Sequence, residues 1–198
     1  MMRDEDTPSN LLVRLRSETR SEHDAVEAAL DLGGLTRERY DHFLKRFFGF
    51  YRPIEDAIGS VGGWADRGLD LERRRKAPLL EADLRALGVD APDRLPVCPD
   101  PPRLDTPAAC FGCLYVLEGA TLGGQVISRH ISGTLGIGSE TGGRFFHGYG
   151  ERTGEMWRSF GTALVAFAAT REIEDRVVAA ARETFRALRS WCQRSPAV

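Results

Sequence analysis

The sequence lacks most of the features that assign a chain to a specialised class. It has little net charge: 27 Lys and Arg against 29 Asp and Glu leave −2, which gives no global electrostatic reason to expect a nucleic-acid or anionic-membrane partner. It has no run of 18 apolar residues, so no membrane span is expected. The start, Met1-Met2-Arg3-Asp4-Glu5-Asp6, lacks the apolar core of a signal peptide. The expected compartment is therefore the cytoplasm, and Cys98, Cys110, Cys113 and Cys192 are expected as reduced thiols rather than a disulfide framework. Strand alternation, internal repeats and low-complexity tracts are absent. So are a Gly-x-Ser-x-Gly nucleophile elbow and paired Glu-x-x-His ligands; His42, His130 and His147 are scattered. Gly148-Tyr149-Gly150 with Gly154 follows no strand and misses the dinucleotide-binding spacing. Cys110-x-x-Cys113 has neither the further ligands of a zinc site nor a βαβ context, and reads as buried small residues.

What is present is helical periodicity over a length sufficient for one compact domain. Ser9 or Asn10 can cap a first helix reaching about Leu32, where Gly33-Gly34 stops it. Its apolar stripe is Leu12, Leu15, Thr19, His23, Val26 and Leu30. A second helix follows a Thr36 cap and carries Tyr40, Phe43, Leu44, Phe47, Tyr51, Ile54 and Ile58 on one side, with Pro53 kinking or dividing it. Pro78 suits the first turn of a short helix ending at Gly88. Six prolines between residues 88 and 107 mark a surface connection, and Thr106-Pro107 opens a glycine-bearing helix. Residues 133–150 read as loop, and two helices, about Thr153–Ala169 and Glu172–Trp191, close the chain with Thr170 as a cap between them. The expected architecture is all-α with six or more helices, a single domain over 11–192, and flexible ends at 1–10 and 193–198.

Two features carry chemistry. Glu118-Gly119-Ala120-Thr121-Leu122-Gly123-Gly124-Gln125 sits among apolar helical residues, where each glycine costs about 1 kcal/mol relative to Ala. The gain expected in return is close approach of bare backbone to something flat, either another helix or a ligand. His23 falls on the apolar stripe of the first helix, with Glu27 four residues on along the same face. A satisfied core histidine is the plain alternative. Otherwise Glu27 takes the Nδ1 proton and leaves Nε2 free for a metal. Arg16 and Arg20 share that face; alone they would be solvated rim charge. A flat, iron-centred ligand with carboxylates at its edge accounts for both features at once, and haem is the obvious candidate.

The motifs Thr19-Arg20-Ser21-Glu22-His23 with Glu27, and Tyr115 to Ile127 through the distal glycines, resemble the haem oxygenases, in particular the bacterial type associated with bacteriophytochromes. Gly148-Tyr149-Gly150 leading into Met156-Trp157-Arg158-Ser159-Phe160 is a looser match. The resemblance runs from about Leu12 to Trp191. It implies an all-α haem oxygenase-like fold with haem b between the first helix and a kinked distal helix. It makes His23 the iron ligand, oriented by Glu27, and Gly119, Gly123 and Gly124 the distal wall. Arg16, Arg20 and Arg158 would meet the propionates. The implied reaction opens haem to biliverdin, carbon monoxide and ferrous iron, using O2 and electrons from a ferredoxin or an NADPH-dependent reductase, with a bacteriophytochrome as a possible recipient of the pigment. Ala120 stands where many members carry Asp, which leaves Glu118, Thr121 and Arg129 as alternative supports for distal water. A haem-binding or haem-transfer protein without turnover, and a haem-free helical enzyme such as the thiaminase-like proteins, are the competing readings.

Overall fold

The computed structural model describes residues 11–31 and 34–194. Among them are eight α-helices and no strand: α1 Leu11–Glu18, α2 Arg20–Leu30, α3 Arg37–Val61, α4 Ala77–Ala86, α5 Pro107–Leu135, α6 Arg144–His147, α7 Thr153–Phe167 and α8 Arg171–Gln193. The expected caps at Ser9 or Asn10, the Leu32-Gly33 stop and the flexible end at 1–10 lie outside the described residues. Of the other end, residues 195–198 lie outside. Gln193 still belongs to α8, and Arg194 is held by Asp100 at 2.7 Å and by the Arg46 guanidinium on its carbonyl.

The first expected helix is divided. Thr19 leaves helical geometry (φ −102°, ψ 3°) and its hydroxyl donates to the Leu15 carbonyl at 2.7 Å, satisfying an acceptor at the break. α2 ends at Asp31, which takes the left-handed conformation (φ 42°) one residue before the expected stop; Asp tolerates that region through local hydrogen bonding. Pro53, by contrast, neither ends nor divides α3, which runs unbroken for 25 residues. Proline cannot donate to the Gly49 carbonyl four residues back. Cys98 N–H does so instead, at 2.9 Å. That pairing brings the proline-rich connection against α3, and only glycine fits at 49, because a Cβ there would strike the Pro96 carbonyl oxygen.

α5 is one helix of 29 residues, and it extends past Gly133, which had read as loop. The segment beyond it also holds α6 and short 3-10 turns. By length and composition α5 could cross a membrane, contrary to the reading of the apolar runs, yet it serves here as the core helix. It crosses α8 at Gly112, where a Cβ would strike the Val177 carbonyl and stand 2.7 Å from Ala180 Cβ. α8 is the common base. α5 packs along it, α1 and α2 lean on it, and α2 and α5 scarcely touch one another. The His-bearing and the Gly-bearing helix thus share a base with few contacts of their own, and the gap between them is the candidate cleft.

Candidate functional site

On α1–α2 the inward stripe runs Leu15, Thr19, Glu22, Val26, Leu30. Glu22, not His23, takes the inward place in the middle. Its side chain is only 9% exposed and accepts from Arg182 Nε and Arg186 Nη2, each at 2.8 Å. Burial raises the Glu22 pKa, but the Arg182 and Ser21 hydrogen bonds outweigh it and hold the carboxyl at about 2. His23 is therefore one position round from the core. Its side chain is 52% exposed and its ring stands edge-on to Phe185 of α8, centroids 5.8 Å apart. The core-histidine alternative is thereby corrected: the imidazole is offered outward. Glu27 Oε1 lies 3.7 Å from Nε2, not beside Nδ1, and Asp24 Oδ1 lies 3.5 Å from Nδ1. Neither contact is a short hydrogen bond, but a carboxylate flanks each ring nitrogen, so ligation through either leaves the other one supported.

On α5 the glycines divide between two faces, because residues four apart share a face and adjacent ones are turned by 100°. Gly123 meets open space: a Cβ there would find no atom within 4 Å. Gly119, one turn earlier, would meet only the Trp157 ring, at 3.9 Å. Leu122 and Val126, 41% and 62% exposed, flank this lane, and Ala120 is exposed beside it. Gly124 departs from the expectation that all three glycines form one wall. It is buried, and a Cβ would stand 3.1 Å from the Phe146 carbonyl oxygen, so it serves the packing of α5 on α6. The helix-crossing explanation of the glycine cluster thus holds at Gly124 and fails at Gly119 and Gly123.

Tyr115 joins the two sides. It packs on Trp157 with centroids 5.8 Å apart and has Thr19 and Arg16 beside its hydroxyl. Burial raises its pKa, and Thr19 and Arg16 oppose that rise. Arg16 is exposed, with its charge close enough to act on the Tyr115 hydroxyl. Arg20 is 81% exposed and only loosely paired with Asp24, at 3.8 Å. Arg158 is exposed and folds back along α7, with Nη1 over Gly154; nothing in its surroundings brings it to the cleft.

Of the three candidate water supports, Glu118 faces away from the lane and is buried on Arg74 and Lys76. The buried Thr121 hydroxyl points back to the Leu117 carbonyl at 3.4 Å. Arg129 is exposed three residues beyond Val126. Tyr115, Trp157, Glu22 and the α8 arginines were not singled out from the sequence. Only Glu22 had a readable signal, as the residue that keeps the 4-3-4-4 spacing of the stripe.

The donor set fits an apolar plate with iron at its centre. One wall offers an imidazole with carboxylates behind it, and the other offers bare backbone and exposed aliphatic side chains. A family model described as Heme oxygenase matches residues 9–194. The chain belongs to the heme oxygenase family. Among its relatives, a "Heme oxygenase" of Xanthomonas campestris pv. campestris (strain 8004) is 36% identical over 109 residues, 51% of this chain and 58% of that protein. The match thus spans little over half of that relative's length. The fold resembles that of the heme oxygenase from Neisseria meningitidis solved with NO and CO bound: the TM-score is 0.78 at 23% identity, covering 95% of this chain and 94% of the other. It also resembles heme oxygenase from Leptospira interrogans, with a TM-score of 0.75 at 17% identity, covering 92% and 98%. These likenesses carry the heme oxygenase fold.

Proposed function

We propose that this heme oxygenase-family chain degrades haem, taking O2 and electrons from an external donor, to biliverdin, carbon monoxide and ferrous iron. The observation that carries the reading is the bare lane over Gly119 and Gly123 on the α5 side of the cleft, with an outward-facing imidazole at His23 on the α2 side. When bound, haem supplies an iron centre that one neutral imidazole leaves able to activate O2. His23 holds the iron, and Asp24 or Glu27 keeps the proton on its other ring nitrogen. Arg16, exposed beside Tyr115, would hold a propionate, and the exposed Arg20 would add charge at the rim. Gly119 and Gly123 would leave steric room for the ring on the α5 side, so that oxidation would be directed at the macrocycle itself. Ala120 brings no acid or base there and Glu118 is turned away, so protons reach the cleft through water.

The electron donor is a ferredoxin or an NADPH-dependent reductase, the setting is the cytoplasm, and the bilin goes to a bacteriophytochrome; the motif resemblance supports these assignments, and four unpaired thiols suit a reducing compartment. Ala120 alone favours a second reading, a protein that holds haem without opening it. One experiment separates the two. The purified protein is titrated with haemin, then given ascorbate or a reductase in air. Loss of the haem bands with biliverdin formed is expected. A stable complex with no bilin supports the second reading, and absence of stoichiometric haem uptake refutes both.

A further inference from the structure

Glu118 is the only charged residue between Pro107 and Ser128 of α5, and its carboxylate is 1% exposed. Both oxygens are engaged. Oε2 accepts from Arg74 Nη1 at 2.6 Å; Oε1 accepts from Lys76 Nζ at 2.9 Å and from the Tyr149 hydroxyl at 2.7 Å. Lys76 Nζ also donates to Tyr149 Oη at 2.5 Å and to the Arg74 carbonyl at 2.8 Å. Arg74 reaches on to Ser159 Oγ at 2.7 Å and the Met156 carbonyl at 3.2 Å. One carboxylate thereby ties α5 to the segment before α4, to the loop after α6, and to α7.

Two cations and an anion are expensive to desolvate, and such clusters give little stability beyond what apolar residues of equal volume give. Their clearer use is to select one geometry. This stretch of α5 needs that selection, because its next residues have no knob on the open face to fix how the helix is rotated. The back of the same stretch is gripped as well. Gln125 donates to the His147 carbonyl at 2.8 Å and to Thr153 Oγ1 at 3.3 Å, and Gly124 rests on Phe146. With Cα atoms about 2.3 Å from the helix axis, a rotation of about 20° moves the backbone sideways by roughly 0.8 Å. A misplacement near 1 Å is of a size that changes reaction outcome by orders of magnitude.

We infer that the Glu118–Arg74–Lys76–Tyr149 cluster is a positioning device that sets the rotation of the bare α5 backbone over the cleft, and through it which edge of the haem ring is opened. The inference rests on the proposed haem chemistry for its second half only. Two variants test it: Tyr149→Phe, which keeps all three charges, and Glu118→Gln, which leaves the cations without their counter-charge. The first readout is amide hydrogen exchange in the haem-free protein. Exchange across residues 119–126 is expected to rise about tenfold while α8 stays protected. The second is the biliverdin isomer mixture, which is expected to broaden while haem still binds one to one.

Unchanged exchange at 119–126 together with an unchanged isomer mixture in Tyr149→Phe overturns the inference, whether or not Glu118→Gln folds. A uniform rise across all helices also overturns it, because that marks general stability rather than local positioning. If the wild-type protein forms no bilin, the proposed function fails, and the exchange readout still decides whether the cluster fixes α5.

Discussion

If haem lies over Gly123 as proposed, stability and ligand binding pull in opposite directions there, and replacing it with Ala makes that measurable. A Cβ at 123 meets no atom within 4 Å in the haem-free protein, so the substitution brings no clash. It brings the helix-propensity gain of Ala over Gly, about 0.8–1.0 kcal/mol in a helix interior. For a chain of this length that raises Tm by about 2–4 °C. The same methyl group projects into the lane where the proposed function puts the ring, so haem affinity is expected to fall tenfold or more, about 1.4 kcal/mol per decade. Gly112→Ala is the control, since a Cβ there would strike the Val177 carbonyl and stand 2.9 Å from Ala181 N. Overpacking of this kind costs about 1–3 kcal/mol; after the propensity gain of about 1 kcal/mol the haem-free protein is expected to lose up to about 2 kcal/mol. The assays are urea and thermal unfolding of haem-free protein and absorbance titration with haemin. If Gly123→Ala proves destabilising, or takes up haem with wild-type affinity, the argument that this glycine is kept open for a ligand is wrong.

His23→Ala removes a half-exposed side chain and is expected to change stability by no more than about 0.5 kcal/mol, while the haem complex loses its imidazole-ligated spectrum; a wild-type spectrum in the variant refutes the ligand assignment. Glu22→Gln is expected to be less stable than wild type at neutral pH. The folded carboxyl is held at about 2, below its unfolded value near 4.3, so its contribution is complete above about pH 4.5 and fades as pH falls toward 2. Unfolding curves of the two proteins should therefore converge over that interval, and a constant gap there contradicts the assignment. Arg16→Glu is expected to weaken haem binding more than Arg20→Glu, because the exposed Arg16 stands near Tyr115, which packs on Trp157, while Arg20 has only Asp24 near it; equal losses in haemin titrations contradict that placement.

The helices were legible where local signals agree. Thr36, Thr106 and Thr170 each accept a hydrogen bond from the backbone N–H three residues on, and the aromatic stripe of α3 is buried throughout. One local signal misled because a distant segment overrode it: Pro53 does not divide α3, and the Cys98 amide satisfies the Gly49 carbonyl that proline leaves free. Gly133 read as loop, and α5 continues past it to Leu135. The glycine cluster could be recognised as a site but not divided, because which face each residue presents depends on the neighbours of α5. His23 was found for a reason the structure revises: the stripe takes Glu22 inward, with its charge met by two arginines from a helix about 160 residues away in the chain.

The sequence by itself determined the helical class, the main caps and the two segments that form the candidate site, because these depend on residue type and on spacings of three and four. Tertiary structure alone decided which glycines stay open, that His23 is half-exposed, and that Glu118 of α5 is locked by Arg74, Lys76 and Tyr149. Those outcomes arise from contacts between elements far apart in the chain, and no local pattern encodes which faces will meet.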